Sequence, residues 1–183
     1  MTKSGGTSGL RLMQAIAGGE RGGAEAFFVR LAVALKRAGV EQQILVRRDR
    51  PWIADLRAGG LQPVELPFGG WADFTTRRAL GREISAFQPH VVLTWMNRAS
   101  HLCPNAVPGH DFIHAARLGG YYNLKYYRSC DHLIGNTEGL ERYIKDQGWP
   151  AERAHYIANF VSADRAPASA RRCRAPSRSV SMD

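Results

Sequence analysis

The stretch "AGGERGGAEAFF", Ala17 to Phe28, decides how the chain is read. Upstream, Leu10 to Ala17 is an apolar run of the kind that forms a buried strand. Downstream, Ala24, Phe27, Phe28, Leu31, Leu35 and Ala38 recur with the period of a helix carrying one apolar face. Four glycines therefore occupy a strand-to-helix turn, and Gly39 supplies a stop beyond the helix.

The same alternation continues outward from this unit. Gln43 to Val46 is a second strand, running into the charged turn Arg47-Arg48-Asp49-Arg50-Pro51. Trp52 to Ala58 is a short helix before Gly59 and Gly60, and Pro63 to Leu66 a third strand. Asp73 is placed to cap a helix bearing Ala79, Leu80, Ile84 and Phe87, after which Pro89 leads into the strand Val91 to Trp95. Phe112 to Ala116 is the next strand, and the Tyr-rich run Tyr121 to Arg128 is predicted as a helix. Asp131 to Gly135 returns as a strand, Asn136 or Thr137 caps a helix over Glu138 to Gln147, and His155 to Ala158 closes the series. Strands joined by single helices require right-handed crossovers, which build a parallel sheet covered on both faces. The expected fold is α/β, a Rossmann-like parallel sheet.

At 183 residues the chain holds one such domain with short ends and no second full domain. The expected division is a flexible N-terminus (1–9), the domain proper (10–161) and a disordered tail (162–183). In the tail, five arginines face two aspartates and almost nothing is apolar. The net charge of +9 suits anionic ligands or surfaces. A nucleic-acid role is not expected, because much of the basic excess lies in the tail and no base-reading motif accompanies it. Three cysteines without a CxxC pair give neither a disulfide framework nor a zinc site, which fits a reducing cytoplasm. No apolar run reaches the length of a membrane span, so any membrane contact is expected to be peripheral.

In an open parallel sheet, ligands lie at the carboxyl ends of the strands, beside the first strand-to-helix turn. Gly22 and Gly23 would let backbone N–H groups approach a phosphate or sugar, and Ala24 and Glu25 follow in the first helical turn. Glu25 suits the helix dipole and is placed to reach a ligand hydroxyl. The alternative is a flexible turn that only helps the helix to pack. The spacing is neither the dinucleotide G-x-G-x-x-G nor a P-loop. Asn97 follows one strand, His114 and Arg117 end another, Asn136 and Thr137 follow a third, and Asn159 the last. Capping and turn chemistry is the competing account of the asparagines and Thr137. His110 and His114 have i, i+4 spacing, but the strand expected between them separates their rings, so no metal site is expected. Cys103 lacks the surroundings of a nucleophile.

These residues also carry a resemblance. "GGAE" (Gly22 to Glu25), "PHVVLTW" (Pro89 to Trp95), "CDHLIGNTEGLERYI" (Cys130 to Ile144) and "PAERAHYIANFV" (Pro150 to Val161) resemble, in order and spacing, the N-terminal domain of family 4 glycosyltransferases of the GT-B fold. The stretch "ARLGGYYNLKYYRSCDHLIGNT" is most similar to bacterial members that build lipopolysaccharide core or related surface glycans. The resemblance implies transfer of a sugar from a nucleotide-diphosphate donor to a glycan or glycolipid acceptor, without a bound metal or other cofactor. It implies a cytoplasmic enzyme, peripheral at most on the inner membrane. Gly22, Gly23, Ala24, Glu25, Asn97, Asn136 and Thr137 are then expected at the diphosphate and acceptor site. His114 and Arg117 become the candidates for the family's strand-end catalytic histidine position. The resemblance lapses after Val161, so the donor-binding domain is expected to be missing and the chain inactive alone. The alternative is a non-catalytic module that binds a glycan or an anionic lipid.

Overall fold

The computed structural model describes residues 9–70 and 73–160. The expected flexible start and Arg-rich tail fall outside that range, apart from Gly9.

Among the described residues, seven parallel strands form one sheet: β1 (Arg11–Ile16), β2 (Glu41–Arg47), β3 (Val64–Leu66), β4 (Val91–Trp95), β5 (Ile113–Leu118), β6 (His132–Gly135) and β7 (Ala154–Tyr156). Their order is β3-β2-β1-β4-β5-β6-β7. Five α-helices among the same residues connect them: α1 (Gly23–Arg37), α2 (Ile53–Ala58), α3 (Phe74–Phe87), α4 (Met96–Leu102) and α5 (Glu138–Asp146). The strand order reverses between β1 and β4, and such a reversal leaves a crevice at the strands' carboxyl ends.

The apolar periodicity of each helix decides its side. Phe27, Phe28 and Ala32 of α1, with Ile53 and Leu56 of α2, pack on Ile16, Ile44, Val46 and Trp95. Ala79, Leu80 and Ile84 of α3, with Ala99 and Leu102 of α4, pack on Met13, Ala15, Leu45 and Val92 from the opposite face. Leu140 and Ile144 of α5 extend that second layer over Ala116, Leu118 and Leu133. The expected Rossmann-like sheet with two covered faces is therefore what the chain forms.

Asp73 caps α3 as its position suggested. Its carboxylate accepts from Thr76 N–H at 2.9 Å, from Gly69 N–H at 2.7 Å and from the Thr75 hydroxyl at 2.6 Å, and also from the Thr76 hydroxyl. Burial opposes the charged form, yet these donors hold the carboxyl well below the usual carboxylate range.

β2 begins two residues earlier than expected, at Glu41, and the outlines differ from expectation in four further places. The Tyr-rich run is not a helix from Tyr121 to Arg128: only Leu124–Tyr127 turn, as a short 3-10 segment. The tyrosines split between core and surface, with Tyr127 buried and Tyr121 68% exposed, so no single face could carry a longer helix. Met96–Leu102 is helical, a segment to which the sequence assigned no element, and it starts immediately after β4. The fifth strand runs Ile113–Leu118, two residues further than expected, which carries Arg117 inside the sheet. The last strand is Ala154–Tyr156, so Ile157 and Ala158 lie beyond it.

Candidate active site

The glycine turn after β1 is built around Glu25. Its carboxylate accepts the Gly19 N–H at 2.8 Å, and Trp52 donates its indole N–H to the Gly19 carbonyl at 2.9 Å. A Cβ at Gly18 would lie 2.8 Å from Glu25 Cγ, and one at Gly22 would collide with the Glu25 carboxylate. Glu25 is buried, so it braces the turn from inside. At Gly23 a Cβ would meet nothing within 4 Å. The first helical hydrogen bond runs from Ala26 N–H to the Gly22 carbonyl at 3.0 Å. The earlier N–H groups of the turn stand at the positive end of the α1 dipole.

Opposite that helix end stands Arg117. The side chain reaches up from β5 between two rings, with its guanidinium carbon 5.0 Å from the Phe27 centroid and 5.6 Å from that of Trp95. One terminal nitrogen, Nη2, donates to the Ile157 carbonyl at 2.8 Å and to Asn159 Oδ1 at 2.7 Å. No carboxylate among the described residues pairs with it. Arg117 is only 5% exposed, and burial depresses its pKa. A cation held this way, by neutral oxygens and π faces, retains donors for an anion.

Gly23, Ala24, Phe27, Trp95, Met96, Arg117, Leu118, Gly119, Asn136 and Asn159 enclose a cleft of about 290 Å³ at the carboxyl edge of the sheet. Met96 lines it with a left-handed backbone, φ 61°, and its carbonyl is held by the Ser100 hydroxyl at 2.8 Å. Strain of this kind in a non-glycine residue concentrates where a site requires it.

Of the residues singled out from sequence, the cleft gathers Gly23, Ala24, Arg117, Asn136 and Asn159. The others take different places. Gly22 and Glu25 lie behind the turn. Thr137 caps α5, accepting the Leu140 N–H at 3.1 Å. Asn97 borders a neighbouring hollow with Gly70, Arg98, His101 and Tyr126.

His114 points to the other face of β5 and is 2% exposed. Its ring lies 2.9 Å from the Thr94 hydroxyl and 3.0 Å from the Ser129 carbonyl. Burial lowers its pKa, against the opposing pull of the Ser129 carbonyl and Asp131. The alternation of side chains along a strand places His114 and Arg117 on opposite faces. Only Arg117 reaches the cleft.

Phe27, Leu118 and Gly119 were not singled out as site residues. The available signal was Arg117 itself, a charge between Ala116 and Leu118 in a mostly apolar strand. Cys103 is fully buried and its thiol is pushed up to about 12, chiefly by desolvation, which makes it inert.

The glycosyltransferase family 4 profile matches residues 21–165, a span that takes in Gly22 and Gly23 of the glycine turn, the cleft and the last strand. The chain belongs to glycosyltransferase family 4. Among the relatives of this family-4 chain are two lipopolysaccharide core biosynthesis glycosyltransferases of Rhizobium meliloti strain 1021. LpsD is 33% identical over 160 residues, covering 84% of this chain and 44% of the relative. LpsE is 33% identical over 159 residues, covering 80% and 43%. The chain thus spans less than half the length of these relatives.

Solved structures share the fold. The lipopolysaccharide outer core galactosyltransferase WaaB in its apo form superposes with a TM-score of 0.61 at 13% identity, over 84% of this chain and 46% of its own. Anabaena Alr3699/HepE in complex with UDP-glucose gives 0.62 at 11% identity, over 82% and 44%.

Proposed function

We propose that residues 10–161 form the acceptor-side half of a glycosyltransferase. The enzyme would move a sugar from a nucleotide-diphosphate donor to a glycan or glycolipid such as lipopolysaccharide core. The observation that carries this reading is Arg117, a buried cation with no carboxylate partner among the described residues, facing the N-terminal end of the 15-residue α1 across an open cleft. As the sugar leaves, negative charge grows on the diphosphate. Backbone N–H groups of Gly23 and Ala24 and the free edge of the Arg117 guanidinium are placed to receive that charge without rearranging. Asn136 and Asn159 border the same space and offer amides to sugar hydroxyls or phosphate oxygens.

The nucleotide would lie against residues beyond this half, so the cleft here holds the diphosphate and the incoming acceptor. The lipopolysaccharide-core relatives support the acceptor class, and the UDP-glucose complex of a structural neighbour supports the donor class. No helix among the described residues is long and apolar enough to cross a membrane. Contact with a glycolipid-bearing surface would be peripheral, and Phe74, 72% exposed on the same helix as Arg77, Arg78 and Arg82, supports that placement.

Titration of the ¹⁵N-labelled chain with inorganic pyrophosphate and with UDP tests the proposal. The Gly23 and Ala24 amides should shift, and Arg117→Gln should weaken binding by roughly tenfold, the loss expected when a charged hydrogen bond is removed. Gly23→Trp, which adds a ring where the backbone faces open space, should block the cleft without touching Arg117. Shifts located elsewhere, or unchanged in both variants, would reject the site.

A further inference from the structure

A second concentration of positive charge stands next to the cleft. Arg47 ends β2 and Arg98 lies in the first turn of α4. Burial first, and then the nearby charges of Arg50 and Arg98, lower the Arg47 pKa. Among the described residues the ion pairs are Arg50 with Glu20, Arg57 with Glu65 and Lys145 with Glu141, so neither Arg47 nor Arg98 has a carboxylate partner. Like charges gathered without a counter-ion raise the free energy of the empty protein, and an anion bound among them lowers it.

Beside Arg98 the surface sinks into a hollow of about 200 Å³ lined by Gly70, Asn97, Arg98, His101 and Tyr126. Its chemistry is mixed. Arg98 is steadied by a long bond of 3.4 Å from Nη1 to the Phe68 carbonyl. His101 meets Tyr126 edge to face, with centroids 5.8 Å apart, and the Lys125 ammonium sits 5.0 Å from the Tyr126 centroid. Among the described residues no acid lines the hollow. Met96 borders the diphosphate cleft and Asn97 borders this hollow, so one turn of α4 separates nothing more than two adjacent rooms.

We propose that Asn97, Arg98, His101 and Tyr126 bind an acid-bearing sugar of the acceptor, one substituted with a carboxylate or a phosphate. Arg98 takes the acid in a forked pair of hydrogen bonds, Asn97 and His101 take ring hydroxyls, and the Tyr126 ring packs against the sugar's C–H face. Arg47 adds attraction at longer range. This assignment rests on the glycosyltransferase reading and narrows its acceptor from any glycan to an anionic one. Arg98 becomes a specificity-determining residue, because a neutral sugar would leave its guanidinium without a counter-charge.

The test uses the ¹⁵N-labelled chain at low salt with four probes: methyl glucuronide, glucose 6-phosphate, methyl glucoside and inorganic phosphate. The two acidic sugars should shift the Asn97, Arg98 and His101 amides, with the neutral glucoside at least about tenfold weaker. The tighter of the two acids identifies the substituent. Arg98→Gln, an exposed substitution that leaves the core intact, should abolish the preference, and Arg98→Lys should restore part of it. Equal binding of the glucoside would overturn the acidic assignment. Inorganic phosphate binding as tightly as glucose 6-phosphate would overturn the sugar assignment. Pyrophosphate shifts at Gly23 report the neighbouring cleft separately, so this hollow can fail while the glycosyltransferase reading stands, and the reverse.

Discussion

Arg117 and His114 are three positions apart on one strand, and their environments set opposite chemistry. Arg117 is held as a cation by rings and neutral oxygens and faces the cleft. His114 is kept neutral by burial on the other side of the sheet. Its folded-state pKa lies below its unfolded value, so the unfolded chain binds the extra proton as pH falls. The native state is then favoured fully above the ordinary histidine value of about 6.5, and stability drops as pH falls through it. Melting temperature followed from pH 8 to pH 5 should show this slope, and His114→Gln should flatten it. A variant whose slope matches the parent's would assign the pH dependence to other groups. Cleft binding of pyrophosphate by His114→Gln should remain within about twofold of the parent once compared where both are folded, since the ring lies behind the sheet.

At the scale of elements, the glycine turn and the α3 cap make contrasting demands. A methyl at Gly22 runs into the Glu25 carboxylate and threatens the bond to Gly19 N–H, whereas one at Gly23 enters open space. Gly22→Ala should cost about 1–3 kcal/mol, the price of disturbing a buried hydrogen-bonded group. Gly23→Ala should stay within about 0.5 kcal/mol, as surface changes do. Urea melts of the pair measure the difference, and equal stabilities would mean that Glu25 does not brace the turn. Asp73→Ala removes an acceptor from four donors and should destabilise by about 1–2 kcal/mol, with Asp73→Asn falling between.

These same elements show what the sequence could convey. The first unit, the Asp73 cap and the strand at Val91 were legible because periodicity and capping are local. The end of β5 was not, since pairing with β4 and β6 carries the strand through Arg117, and that is a property of neighbours. Helix α4 was hidden because it has no N-terminal cap side chain and begins directly on the last strand residue.

For the whole molecule, the order of strands fixes where chemistry can occur. All seven run parallel, so the turns after β1, β4, β5 and β6 converge on one edge. Candidate residues far apart in sequence could be assigned to that edge in advance. Which of them actually meet could not, because the choice depends on side-chain direction: Arg117 and Asn136 point into the cleft, while Glu25 and Thr137 turn to serve the backbone. The two outermost strands, β3 and β7, are three residues long each, which limits pairing between sheet edges of separate molecules.

The bonds from Arg117 to Ile157 and Asn159 have a mechanical consequence. The chain leaves β7 at Tyr156, and its next few residues are tethered to the centre of the sheet by one side chain that also faces the cleft. An anion drawn to that guanidinium must share it with the departing backbone. Filling the cleft should therefore alter the amide hydrogen-exchange rates of residues 157–160, making the exit path of the polypeptide a gauge of occupancy that needs no labelled ligand.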